Sequence, residues 1–125
     1  MSAMANAQSA YDNTTRTIKS PRDIEYELMA KITGRLRAAD GDTGPGAFAA
    51  LAAAMHDNRR LWSAFATDLA DSGNKFPKDL RARLFYLAEF VTQHTEKALA
   101  GNAPAEVLVD INLAVMRGLR PQGSL

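Results

Sequence analysis

Large apolar residues recur every three or four positions in four stretches of this chain, and polar breaks bearing glycine or proline separate them. The first stretch carries Ile24, Leu28, Ile32 and Leu36, with Met29 at its flank. Ahead of it, Ser20-Pro21-Arg22-Asp23 supplies a capping hydroxyl, a proline suited to the first helical turn and a carboxylate near the positive end of the helix dipole. The second stretch carries Phe48, Leu51, Met55, Asn58, Trp62, Phe65 and Leu69, a heptad-like seam whose one polar member is Asn58. The third follows Pro77 with Leu80, Leu84, Leu87, Val91, His94 and Ala98, and stops at Gly101, a natural helix end. In the fourth, Val107, Leu108, Val109, Ile111, Leu113, Val115, Met116 and Leu119 are interrupted by Asp110, Asn112 and Arg117, so apolar groups run nearly all round it. These spacings predict helices over about 20–39, 47–70, 77–100 and 104–117.

No stretch reads convincingly as a strand, so the predicted class is all-α: a compact four-helix bundle forming a single domain over 20–119. The short break Asp71-Ser72-Gly73-Asn74 sets the second and third helices antiparallel. The candidate core comprises Ile24, Leu28 and Ile32 from the first helix and Leu51, Met55, Trp62 and Phe65 from the second. Leu84, Leu87 and Val91 join it from the third helix, and Ile111 and Val115 from the fourth. A helix apolar on every side needs cover on every side, so the fourth either lies between the others or leaves a face for a partner. Residues 1–19 offer Tyr11 and Ile18 as their main large apolar groups, too little to offset the entropy of ordering, and a flexible segment is expected there. A frayed end is expected over 120–125.

Composition narrows the function classes. At 125 residues the chain suffices for one core, and with no cysteine it has neither disulfides nor thiol chemistry. Its 15 basic and 14 acidic residues leave a net charge of +1, so no global field draws it to nucleic acid or anionic lipid. No run approaches the ~20 apolar residues of a membrane span, and MSAMANAQSAYDNTTRTIKS has no secretory apolar core. A cytoplasmic protein without membrane insertion is the expectation.

Catalytic constellations are not legible. His56 and His94 fall on different predicted helices with no second ligand at helical spacing, and His94 reads as a core or edge histidine rather than a metal ligand. Asp68 with Asp71, and Glu25 with Glu27, lack the apolar setting that raises a carboxyl pKa for acid–base work. Asp110 and Asn112, in so apolar a helix, read as polar contacts between helices. There is no nucleophile elbow and no phosphate loop. No enzyme activity, metal or cofactor is expected.

Binding is the remaining class. Lys75, Lys78, Arg81 and Arg83 crowd the start of the third helix, where cations oppose the dipole. RNA is the sharper explanation of that cluster and a solvated face the plainer one, because no aromatics interleave it. Trp62 lies on the seam and reads as a core anchor rather than a stacking platform. Tyr26 points roughly opposite the first apolar stripe, and Phe85 and Tyr86 lie well off the third. With Tyr11, and with Leu113 and Met116 of the fourth helix, they make the candidate partner surface, suited to an amphipathic helix laid in an apolar groove. The plainer alternative is that they pack against a second neighbour inside the bundle.

Several fragments also occur in a familiar order: Ala10-Tyr11, Pro21-Arg22-Asp23-x-Glu25, Asn58-Arg59-Arg60-Leu61-Trp62-x-x-Phe65 with Asp68-Leu69, Leu80-Arg81-Ala82-x-Leu84, His94-Thr95, and Asp110-Ile111-Asn112 with Met116-x-Gly118-Leu119. Together they resemble FlaF, the flagellar biosynthesis regulator family of alphaproteobacteria, from about Tyr11 to Leu119. The resemblance implies a cytoplasmic, non-enzymatic regulator of flagellin synthesis and secretion that binds flagellin as an export chaperone and acts with a companion regulator, FlbT. The alternative it leaves open is control of flagellin translation at the RNA level, alone or with FlbT. The family supplies no catalytic residues to carry over.

Overall fold

The computed structural model describes the backbone of residues 21–119 and the side chains of 26–118. The flexible segment expected over 1–19, the Ser20 cap and the frayed end over 120–125 lie outside the described residues. Among the described residues four helices follow in order: α1 (Pro21–Asp40), α2 (Ala47–Ala70), α3 (Lys78–Leu99) and α4 (Glu106–Leu119). The chain is all-α, a four-helix bundle. Every helix falls where the apolar spacing puts it, with ends that shift by a residue or two, as frayed termini do.

Local chemistry accounts for the ends. At the close of α3, Gly101 takes φ +80°, its N–H meets Ala98 O at 3.1 Å and the Asn102 N–H meets Lys97 O at 2.8 Å. That pair of bonds is a Schellman motif, and the left-handed φ is what glycine supplies there. The turn from α2 to α3 is knit by side chains. Asp71 Oδ1 accepts from the Gly73 N–H, Asn74 Oδ1 accepts from the Phe76 N–H at 3.0 Å, and Arg81 Nε donates back across the turn to Leu69 O at 3.2 Å.

The helices pack in a ring. α1 lies against α2, α2 against α3 and α4 against α1, while α4 touches α3 only lightly; α1 faces α3 and α2 faces α4 across the diagonals. The centre holds Met29 and Leu36 from α1, Met55, Trp62 and Phe65 from α2, Val91 from α3 and Leu108 from α4, all essentially without exposed surface. Trp62 and Phe65 meet as tilted rings with centroids 5.7 Å apart, and Phe76 closes edge-on to Phe65 at 6.4 Å. Ile32, Leu84 and Val115 are buried with them, and Leu51, Leu87 and Ile111 pack partly buried at the margin. Ile24 belongs to the first turn of α1, and its side chain lies outside the described set.

Two seams differ from the expected ones. Leu28, placed in the core by sequence, is 45% exposed. The series Ile24, Leu28, Ile32, Leu36 advances four residues at a time, and each step precesses about 40° round a helix of 100° per residue. The face that goes inside follows alternating steps of three and four, Tyr26, Met29, Thr33 and Leu36, so Leu28 rotates off it. On α3 the buried line is Leu84, Ala88, Val91, Thr95 and Ala98, with Thr95 rather than His94 inside. His94 stays at the edge, its Nε2–H donating to Pro104 O at 2.8 Å, while Thr95 Oγ1 buries its hydroxyl on Val91 O at 2.6 Å.

Asn112 is the polar hub of this core. Its Nδ2 donates to Thr33 Oγ1 at 3.1 Å and to Asn58 Oδ1 at 2.8 Å, and its Oδ1 accepts from Trp62 Nε1–H at 2.9 Å. Thr33 in turn donates to Met29 O at 2.6 Å. One side chain of α4 thereby ties α1 and α2 and crosses the diagonal of the ring. Asp110, the other polar residue noted in that helix, is exposed.

Candidate partner-binding groove

α4 has 14 residues against the 22 of α3, roughly 21 Å against 33 Å at ~1.5 Å per residue. Leaning on α1, it gives α3 only a thin contact. Between them lies an apolar groove of about 260 Å³. Leu80, Arg83, Leu84 and Leu87 form its α3 wall, and Ala114, Val115 and Gly118 its α4 wall. The spacing of both walls is helical, at steps of three and four, so each is one continuous face.

The walls differ in chemistry. On α4 the groove side bears small groups, Ala114 and Gly118, one turn apart, and a methyl added at Gly118 would meet nothing within 4 Å. On α3 the lining is branched and deep, and it contains one cation. Arg83 is exposed and takes part in no hydrogen bond or ion pair among the described residues, whereas its neighbour Arg81 is half-buried and held by Leu69 O. Beyond Arg83, on the same side of α3, stand Tyr86, 67% exposed, and Phe90, whose ring stacks on His94 at 5.5 Å. The groove is therefore an apolar trough with a single guanidinium in its lining.

The sequence-predicted partner residues do not gather in one place. Phe85 is 40% exposed but sits on the side of α3 that turns toward α2, away from the groove. Tyr26 is a correction: it lies on the inward series of α1 and packs, half-buried, against the core rather than opposite it. Leu113 and Met116 are also half-buried against the core, and Met116 Sδ lies 3.9 Å from Thr33 Oγ1, so the two face the α1 side of α4. Tyr86 is exposed on α3, and none of these residues lines the groove. Tyr11 lies outside the described residues. Leu80, Arg83, Ala114 and Gly118, which do line the groove, lie outside the candidate partner surface read from the sequence. Leu80 is legible as a stripe residue and Arg83 as a charge, but only the thin α3–α4 contact makes a site of them.

Other chemistry is sparse. Among the described residues no group of three or more His, Asp or Glu side chains could hold a metal ion, and no helix is long and apolar enough to cross a membrane. His56 Nδ1 lies 3.3 Å from Arg59 Nη2. Asp57 has its carboxyl held below the ordinary carboxylate range by the Arg35 guanidinium bound to it at 2.8 Å, an exposed pair that staples α1 to α2.

Residues 7–119 match the family model described as Flagellar protein FlaF, nearly the whole chain, and the chain belongs to that family. No curated protein and no solved structure gives a match.

Proposed function

We propose that this protein is a cytoplasmic, non-enzymatic flagellin-binding export chaperone that regulates flagellin synthesis and secretion, and that flagellin is held in the α3–α4 groove. The observation that carries the reading is the groove itself. The chain belongs to a flagellar family, and the groove's walls are apolar along one face of each bounding helix, the chemistry that an amphipathic helix would meet. Flagellin helices left bare would self-associate through their apolar faces. A groove that is open on one side releases its guest more readily than a closed core does. FlbT is a candidate second partner for the faces flagellin leaves free, among them the one bearing Phe85.

Calorimetric titration of the full chain with monomeric flagellin is expected to give one-to-one binding. Ala114 is exposed and lines the groove, so Ala114→Arg places a charge and bulk in it without disturbing the core. That variant should lose at least roughly tenfold in affinity, the equivalent of one large apolar side chain left unburied, and keep its helical circular dichroism. The matched change Ser63→Arg, on the exposed side of α2, should bind normally. Unaltered binding by Ala114→Arg would remove the groove from the account. RNA-level control is the weaker reading, since Arg81 is occupied in the α2–α3 turn. It calls for RNA affinity that falls steeply with salt and disappears in Lys78→Glu.

A further inference from the structure

The α3–α4 groove is graded from depth to margin. On the α3 wall Leu84 is buried, Leu80 and Leu87 are half-buried and Arg83 is exposed. On the α4 wall Val115 is buried, while Ala114 and Gly118 are exposed. The exposed margin is thus a guanidinium on one side and a methyl and a glycine on the other, with no carboxylate in the lining. Asp79, four residues before Arg83, is exposed, and no ion pair joins the two among the described residues. We propose that the groove takes an amphipathic helical segment whose apolar face is edged, on the side that meets α3, by an Asp or Glu, and that Arg83 pairs with that carboxylate and selects the guest by it. With the groove read as flagellin's seat, on which this rests, the flagellin segment that lies there is given a definite chemistry.

Size, length and charge favour this occupant. A volume of about 260 Å³ falls short of the ~300–1,000 Å³ that encloses a small molecule, so the groove receives side chains of a larger partner. Leu80 to Leu87 is seven residue steps along α3, roughly 10 Å, enough for two turns of a guest helix. Arg83 is the one charge in the lining. An arginine at such a margin lays its methylenes on apolar surface and keeps its head wet, where a guest carboxylate meets it in the bidentate geometry that guanidinium favours. A segment bearing Lys or Arg at that place is repelled, so one residue discriminates between guests of equal apolarity. Nucleic acid calls for a run of cations and stacking rings, and the lining has one cation and no ring. A second copy of this chain matches poorly: the groove laid on its own counterpart across a two-fold axis brings no carboxylate from either lining to either Arg83.

Arg83→Met keeps a flexible apolar stem and deletes the charge, and Arg83→Glu reverses it. Arg37, exposed on α1 and outside the groove, supplies the matched control Arg37→Met. Each full chain is titrated with monomeric flagellin at about 0.05 M and about 0.5 M salt. At low salt Arg83→Met should bind roughly three- to tenfold more weakly than the unaltered chain, Arg83→Glu more weakly still, and Arg37→Met equally well. At high salt the gap between Arg83→Met and the unaltered chain should shrink. Helical circular dichroism should be the same throughout, since both arginines are exposed. Normal binding by both Arg83 variants, a gain in affinity on Arg83→Glu, or an equal loss in Arg37→Met would each overturn the proposal. Ala114→Arg tells its failure from that of the underlying reading. Where Ala114→Arg loses flagellin and the Arg83 variants do not, the groove stands as the seat and the carboxylate is removed. Where Ala114→Arg binds normally, or the unaltered chain binds no flagellin, the seat itself is removed and the Arg83 pairing with it. A stable dimer in sedimentation that Ala114→Arg breaks would put a second copy in the groove and overturn both.

Discussion

Asn112 has no exposed surface and uses its whole amide: two donated bonds and one accepted. Asn58, equally buried, has its Oδ1 engaged and its Nδ2 without a partner. The two asparagines should therefore respond differently to the same change. Asn112→Leu orphans the Trp62 indole N–H and the Asn58 oxygen together and should destabilise by about 3 kcal/mol. Asn58→Leu removes an unpaired donor along with one bond and should lose clearly less, about 1–2 kcal/mol. Urea unfolding of both variants checks the order, and a larger loss at Asn58 would contradict the hub. Half of this was legible in the sequence. Asn58 stands out as the polar member of an apolar seam, and Asn112 as a polar break in an apolar helix. That they bond to each other, with Trp62 as the third party, was not legible, because the pairing depends on how helices far apart in sequence are rotated and no local rule fixes that.

Helices and their boundaries follow from spacing and from end chemistry. The four elements were legible because runs of three-and-four spacing are long and the breaks between them hold Gly, Pro, Asp and Asn. Which side of a helix goes inside was less so. Leu28 shows how a chain of four-residue steps misleads when a three-and-four series through Tyr26, Met29 and Thr33 competes, since Thr33 is polar and its hydroxyl is satisfied by donating to Met29 O and accepting from Asn112 Nδ2. Two glycines separate backbone need from indifference. Gly101 sits at φ +80° in open space, so Gly101→Ala should lose about 1 kcal/mol through the left-handed conformation alone. Gly118 is helical and equally unobstructed, so Gly118→Ala should be neutral or gain up to about 1 kcal/mol in helix propensity while narrowing the groove. Thermal unfolding should show a lowered midpoint for Gly101→Ala and an unchanged or raised one for Gly118→Ala. The Arg35–Asp57 staple between α1 and α2 behaves as an exposed pair does. Because the folded carboxyl titrates below its unfolded value, its contribution is present above the ordinary carboxylate range and lost as pH falls through the depressed value. Asp57→Asn should flatten the acid side of a stability–pH profile, and salt should weaken the effect.

At the scale of the molecule, the ring of helices is closed on three sides and thin on the fourth. A helix as apolar as α4 has two ways to be covered. It takes the corner rather than the centre, spending its Leu108–Asn112–Val115 face on the core and leaving Ala114 and Gly118 beside the α3 leucines. That choice leaves an apolar groove at the α3–α4 corner, and it is why the residues that line the groove are not the conspicuous aromatics. Leu113 and Met116 look equally available in sequence, and the rotation fixed by Asn112 turns them toward α1. The claim on which the account rests is that flagellin lies along this groove. Hydrogen–deuterium exchange of the full chain, free and saturated with monomeric flagellin, tests it. Added protection should appear in Leu80–Leu87 and Ala114–Gly118, with the exposed side of α2 around Ser63 unchanged. Protection confined to α2, or to the α1 surface around Leu28, would contradict it.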